Sequence, residues 1–353
     1  MDNDKIQLST DVLGIDQLYY NTDTLEYSDS INALITSHQK DRLYFSTILK
    51  FGYNYDNRTP YLNIKRVLPN EVITLSEDEG ITSWERKLDF DPIIDRDINI
   101  KDLLISKVKK YLNQIPAEEK QIGVLLSGGI DSSIISAILL QLKKENYFHQ
   151  ELRFFSINNG EDAEYIKIFE EAFGISSTRL NYDLSGMSDD EMKEVLKINE
   201  TPVDLGSLFP TYILFKELQK QGIKYIFTGD GPDELFGGYR RIDEYDSQLS
   251  DIFQELSFYH FPRLKKLSRH FGIVLKTPWV DEDIVELAIS LDFDERKHKK
   301  IMKDNFAGMI PTEIIFREKR PLKNDLIKSN ERSYRNNLVK LFYEVMEERK
   351  YLS

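Results

Sequence analysis

The chain has 353 residues, of which 41% are hydrophobic and 30% charged, with a net charge of −13 and no cysteine. Its length suggests about two domains, and its acidity argues against nucleic acid or an anionic membrane as main partner, because phosphate surfaces need a cationic footprint. The cysteine count excludes disulfides, thiolate metal sites and a cysteine nucleophile.

No apolar run reaches the roughly 18 residues of a membrane span, and the acidic, polar N-terminus does not read as a signal peptide, so a cytoplasmic enzyme is expected. In the first third, short β-like runs occur at Gln17–Tyr20, Arg42–Ser46, Glu71–Leu75 and Ile81–Trp84, separated by Asn, Asp, Gly and Pro. They predict an antiparallel β layer with a few helical turns. Near residue 95 the pattern changes to alternating strands and helices. Gly123–Leu126 suits a central strand, and Ser132–Leu142 places Ile134, Ile135, Ile138, Leu139 and Leu142 at helical spacing. A strand at Leu152–Ile157, a helix at Glu164–Phe173, a strand at Thr178–Tyr182, a helix at Tyr212–Gln221 and a strand at Tyr225–Phe227 follow. That order predicts an α/β fold, a parallel sheet with helices on both faces. From Ile242 onward the pattern is mainly helical.

Two loops carry the chemistry. The first, Ser127-Gly128-Gly129-Ile130-Asp131-Ser132-Ser133, stands between the expected strand and helix. Its glycines allow a tight turn and close approach to a ligand, and free N–H groups at the helix start, with three serine hydroxyls, suit phosphate oxygens. It lacks the Gly-Lys-Ser/Thr ending of a Walker loop, and no lysine stands near it in the chain, so a pyrophosphate grip is favoured over a γ-phosphate grip. The second, Gly229-Asp230-Gly231-Pro232-Asp233-Glu234-Leu235-Phe236-Gly237-Gly238-Tyr239, follows the strand at Tyr225–Phe227. Both loops are expected at the carboxyl edge of the sheet, where open α/β sheets bind ligands. Asp131 and Asp233 suit a phosphate site only with a cation between them, and magnesium is the usual choice. A plain loop cap is the lesser reading of Asp230, whereas the charged run Arg317–Lys323, taken alone, reads as a solvated face. Tyr239, Arg240 and Arg241 read as packing and surface residues.

The two loops together resemble the ATP-pyrophosphatase (PP-loop) synthetase domain of the asparagine synthetase family. Its hallmarks are Ser-Gly-Gly-x-Asp-Ser-Ser and Gly-Glu/Asp-Gly-x-Asp-Glu-Leu/Val-Phe-Gly-Gly-Tyr. The likeness continues through Lys276-Thr277-Pro278-Trp279-Val280-Asp281, similar to the family's Arg-Val-Pro-Phe-Leu-Asp, and Arg317-Glu318-Lys319, similar to its Arg-x-Lys with a catalytic lysine. It covers roughly residues 96 to 330. The resemblance implies an adenine nucleotide α-hydrolase-like fold over residues 96–353. It also implies a two-step amide synthesis, in which a carboxylate is adenylated with release of pyrophosphate and the acyl group then passes to ammonia or an amine. ATP is the implied co-substrate, held through Leu125, Leu126, Ser127, Gly128, Gly129, Asp131, Ser132, Ser133, Ile157, Thr228 and Gly229. Magnesium would sit on Asp131 and Asp233, with Lys319 and Asp230 catalytic.

Residues 1–95 depart from the family. Asp11–Tyr20, Gly52-Tyr53 and Arg66-Val67-Leu68-Pro69 resemble parts of the second half of the family's glutaminase domain, whose first half is expected to be absent. Residue 2 is Asp2, where full-length relatives carry the N-terminal cysteine that attacks glutamine. This truncated Ntn-type β-rich domain is therefore expected to serve as a structural cover or as a docking surface for a separate glutaminase subunit or a second copy of the chain. At Asp230, family members that close β-lactam rings carry Tyr. The carboxylate favours an external amine that must lose a proton, with intramolecular cyclisation as the runner-up and a non-catalytic subunit as a third reading. The acid itself is not legible: Val203–Pro210, expected to line its pocket, offers no Arg or Lys for a second carboxylate.

Overall fold

A computed structural model describes residues 5–11, 13–85, 99–158, 162–239, 255–317 and 325–350. The N-terminal third contains β1 (Ile6–Ser9), β2 (Tyr19–Asn21), β3 (Tyr27–Ser28), helix α1 (Arg42–Phe51), β4 (Ile64–Arg66), β5 (Glu71–Ser76) and β6 (Gly80–Glu85). The strands form two three-stranded antiparallel sheets, ordered β1-β5-β6 and β3-β2-β4. The run at Arg42–Ser46, expected as a strand, is instead the start of α1. Capping decides it: the Asp41 carboxylate accepts hydrogen bonds from the Leu43 and Tyr44 N–H groups at 3.0 and 3.1 Å, satisfying donors that a new helix leaves open. Tyr44, Phe45 and Ile48 then share one buried face.

Next come α2 (Ile100–Leu112), β7 (Gln121–Leu125), α3 (Ile130–Lys144), β8 (Glu151–Asn158), α4 (Ala163–Phe173), β9 (Ser177–Asn181), α5 (Asp189–Asn199), α6 (Leu208–Lys220), β10 (Tyr225–Phe227) and β11 (Val274–Lys276). The five strands β7 to β11 make one parallel sheet in the order β11-β10-β7-β8-β9. Ile122, Gly123 and Val124 are consecutive and all buried, as are Phe154, Phe155 and Ser156. Successive strand residues point to opposite faces, so both faces of this sheet are covered. The later strand β11 departs from the mainly helical reading of the C-terminal part, its three residues being too short a run to leave a period. From β7 the chain moves through α3 to β8 on one side, while β10 flanks β7 on the other, so the connections diverge beside the end of β7. Ligand crevices form at such a point.

The expected boundary near residue 95 lies outside the described residues. Across it, one apolar core joins Leu13, Ile31 and Phe45 to Val124 and Phe227. Polar bonds reinforce the junction: the Ser257 carbonyl accepts from Gln17 Nε2 at 3.1 Å and Arg66 Nη2 at 2.6 Å. The buried Glu200 carboxylate accepts from the Ile31 and Asn32 N–H groups and pairs with Lys266, each at 3.1 Å.

Candidate functional site

The first loop leaves β7 and is tied by its own serines. Ser132 Oγ accepts from the Ser127 N–H at 3.1 Å, donates to the Gly129 carbonyl at 3.2 Å and lies 2.9 Å from Ser127 Oγ. Gly129 sits at the N-cap of α3 without a side-chain cap, which leaves the helix start to a ligand. The second loop packs directly onto this turn. A Cβ on Gly229 would stand 2.5 Å from the Ser132 nitrogen, and one on Gly128, at φ +70°, would stand 3.1 Å from the Asp162 carbonyl oxygen. A side chain at Gly229 would push the two loops apart, and one at Gly128 would push the first loop off the start of α4.

Beneath them lies the Lys276–Asp281 segment. Trp279 is fully buried, its Nε1–H donates to the Asp131 carbonyl at 3.3 Å, and its ring meets Phe236 edge-on with centroids 5.9 Å apart. Asp281 is clamped by Lys107 at 3.0 Å and Lys110 at 2.8 Å. Burial pushes the Asp281 carboxyl up, but hydrogen bonds and charge from these lysines outweigh it and hold it below the usual range.

The two loop carboxylates converge on one cation. Lys299 Nζ lies 2.7 and 2.6 Å from the two Asp131 oxygens and 2.5 Å from Asp233 Oδ1, with the ammonium side chain only 5% exposed. His298 and Lys299 both adopt left-handed backbone conformations, at φ 54° and 59°, which for non-glycine residues costs about 1–3 kcal/mol each. Their N–H groups are pinned to the Gly237 and Phe236 carbonyls at 2.9 and 2.8 Å. The strained pair thus presents the lysine to the loops.

A cleft of about 290 Å³ opens over these groups. On one side it is lined by Leu125, Leu126, Ser127, Asp131, Ser132 and Ile157, on the other by Thr228, Gly229, Asp230 and Asp233, while Leu205, Ser207, Pro210 and Thr211 form a further wall. Asp230 accepts from the Thr228 hydroxyl and donates its own N–H to that oxygen at 3.0 Å. Behind it, Glu234 accepts from the Tyr239 hydroxyl and from His260 Nε2, both at 2.6 Å. Burial pushes the Glu234 carboxyl up, yet the histidine and the phenol together hold it below the usual range. Burial raises the Tyr239 phenol well above its own usual range. At the rim, Arg317 pairs with Asp162 and covers the Tyr165 ring at 4.3 Å.

The asparagine synthase family model matches residues 100–267 and 244–351. The chain belongs to the asparagine synthase family. It is 25% identical over 370 residues to a probable glutamine-hydrolysing asparagine synthetase of Schizosaccharomyces pombe, covering 90% of this chain and 60% of that relative. Over 276 residues it is 25% identical to asparagine synthetase B of Escherichia coli, covering 69% and 48%. The chain thus spans 60% or less of the length of these two relatives. Among solved structures, a U34-tRNA thiolase of Methanococcus maripaludis overlays 70% of this chain and 80% of its own, at 16% identity and a TM-score of 0.32.

As a member of the asparagine synthase family, the chain brings its hallmark loops to one cleft. Gly128, Gly129 and Ser133 do not line it: the glycines shape the turn, and Ser133 is fully buried behind the wall. Lys319 lies outside the described residues, two positions beyond Arg317. Sequence reasoning missed three groups. Lys299 sits in the run Lys297-His298-Lys299-Lys300, which reads as a solvated basic face; its two left-handed residues leave no sequence mark. Arg263 and His260 belong to or precede the amphipathic helix Phe261–His270, whose apolar spacing announces packing and nothing about the cleft.

Proposed function

We propose that this chain is an ATP-dependent amide-forming ligase that adenylates a substrate carboxylate and then passes the acyl group to ammonia or an amine. The observation that carries this reading is the convergence of Asp131 and Asp233 on one cationic point at the carboxyl edge of the sheet. Two carboxylates that share an ammonium at 2.5 to 2.7 Å also suit a hard divalent cation with oxygen ligands, and Asp131 and Asp233 would hold magnesium. When bound, such an ion draws charge from the phosphates.

The chain's own groups supply the rest. Backbone at Leu125, Leu126, Ile157, Thr228 and Gly229 borders the adenosine, and the Ser127–Ser133 turn with the start of α3 receives the pyrophosphate. Lys299 adds the positive charge that a Walker loop would carry internally. A substrate carboxylate oxygen bonds to the α-phosphorus as the bond to the departing pyrophosphate breaks. The amine nitrogen then attacks the acyl carbon, AMP leaves, and the amine's proton passes to Asp230. Lys319 is the residue assigned to stabilise the developing oxyanion, an ammonium being suited to that charge; the anchoring of Arg317, two positions earlier, at the cleft rim supports the assignment. Most of the acceleration comes from positioning and fixed charge. These 353 residues contain no cysteine, so a cysteine nucleophile for glutamine is not among them, and the nitrogen reaches this domain as free ammonia, as an amine, or from a glutaminase outside these residues that docks on residues 1–95.

Purified chain supplied with magnesium, ATP, ammonium and a panel of carboxylic acids is expected to release AMP and pyrophosphate with the correct acid. Exclusive formation of ADP and inorganic phosphate would contradict acyl adenylation.

A further inference from the structure

Away from the cleft, a cavity of about 40 Å³ lies where the N-terminal third meets the rest of the chain. Tyr19, Asn54 and Arg66 reach it from one side, and Thr201, Phe258 and Pro262 from the other. Strand alternation sends Arg66 there. In β4 the buried residues Ile64 and Arg66 share one face, and Lys65 between them is less buried, so a guanidinium stands where a core side chain would. Arg66 is 6% exposed. Its Nη2 donates to the Ser257 carbonyl at 2.6 Å, and the Phe258 ring centre lies 4.4 Å from its Cζ. Nε is buried with no hydrogen-bond partner among the described residues. A buried donor without an acceptor is costly, and native structures rarely keep one without a reason.

The other charges on the cavity wall are matched: Arg58 pairs with Asp56, and Lys266 with Glu200 at 3.1 Å. Arg66 is the exception. Asp11 acts on it only through its field, because the Asp11 oxygens accept from the Leu13 and Asp16 N–H groups at 3.0 and 2.7 Å. Burial pushes the guanidinium down, and Tyr19, Tyr44 and Asp11 offset only part of that. A water would answer the open N–H and leave the charge uncompensated, which is the costlier of the two in a buried site. We infer that this cavity binds one small monovalent inorganic anion on the Nε side of Arg66, and that the ion fastens the N-terminal third to the rest of the chain. The site is separate from the cleft and does not depend on the ligase reading. A cavity of this size suits a single compact ion, and chloride and hydrogencarbonate are its two natural sources. Asn54 separates them. Its Nδ2 donates to the Asp56 and Arg58 carbonyls at 3.1 and 3.2 Å, and its Oδ1 is a buried acceptor without a partner. Hydrogencarbonate carries an O–H for that oxygen and a halide does not, so hydrogencarbonate should bind the more tightly.

Thermal unfolding of the purified chain reads the occupancy, because an ion bound only by the folded state raises the melting temperature as its concentration rises. Ionic strength is held constant with gluconate, an anion too large for the cavity. Raising chloride, or hydrogencarbonate in a separate arm, from about 1 to about 100 mM is expected to lift the melting temperature by a few degrees. A shift with chloride alone keeps the site and assigns it to a halide; a larger shift with hydrogencarbonate assigns it to the oxyanion. Arg66→Met, similar in length and without the charge, should abolish both shifts. Arg66→Lys keeps the charge but moves the donor, and should retain only part of them; it serves if the methionine variant fails to fold. Bromide soaked into crystals of the wild type gives a readout that needs no variant, with anomalous scattering expected beside Arg66 Nε. No shift in either arm would overturn the inference and leave the cavity to water. A shift that survives unchanged in Arg66→Met, or bromide found only on the outer surface, would overturn it as well, showing an adventitious ion only.

Discussion

The two sides of the cleft differ in how much of their chemistry is already closed. On the phosphate side, Asp131, Asp233 and Lys299 are buried, ion-paired with one another and locked by backbone bonds to the loops. On the acceptor side, Asp230 is 31% exposed and Arg263 Nε has no hydrogen-bond partner among the described residues, with 3.9 Å between Arg263 Nη2 and Asp230 Oδ1. A site that must grip the same triphosphate in every turnover can be preorganised in full. A site that selects one acid must leave its polar groups open for that acid, because groups satisfied internally cannot discriminate.

The sharpest way to break this contrast is on the phosphate side. Asp131→Asn and Asp233→Asn are each expected to lower pyrophosphate release at limiting magnesium by roughly a hundredfold or more, the scale of losing one charge-stabilising group in a transition state, with the fold intact by circular dichroism. Near-normal turnover in either variant would show that its carboxylate is not part of the phosphate machinery.

A smaller effect is expected from Lys299→Met, and it reads stability as well as rate. The substitution keeps the aliphatic stem but leaves Asp131 and Asp233 without their shared cation. Breaking a buried ion pair from one side costs about 3–5 kcal/mol, so the melting temperature should fall by several degrees. Magnesium should restore much of that loss by taking the vacated position, and should change the melting temperature of the wild type less. If magnesium shifts both proteins equally, the two carboxylates do not share one cation point.

The phosphate side was largely legible in the sequence and the acceptor side was not, for a physical reason. A strand, a glycine turn and a helix start must be contiguous to build a phosphate turn, so Gly123–Leu142 announces itself, and β10 with its loop does the same. Lys299 reaches the loop carboxylates, and Arg263 the cleft, from distant segments, and nothing in a local run of basic residues or an amphipathic helix tells which cation turns inward. The misread of Arg42–Ser46 has a different origin. Leu43, Tyr44 and Phe45 are compatible with a strand, and only the Asp41 cap and the burial of Ile48 one turn later tip the segment into a helix. Val203–Pro210, the stretch expected to line the acid pocket, carries no cation. It supplies part of the wall, and the cation comes from a helix more than fifty residues later.

The most direct test of the central claim is an isotope measurement on the active wild type. With the acid labelled by ¹⁸O in its reacting carboxylate, attack on the α-phosphorus carries one labelled oxygen into AMP when the amine displaces it. Mass spectrometry of the nucleotide product is therefore expected to show AMP heavier by one ¹⁸O and unlabelled pyrophosphate. Label in inorganic phosphate, with unlabelled nucleotide, would place the attack on the γ-phosphorus and contradict the claim that these two loops were built to release pyrophosphate.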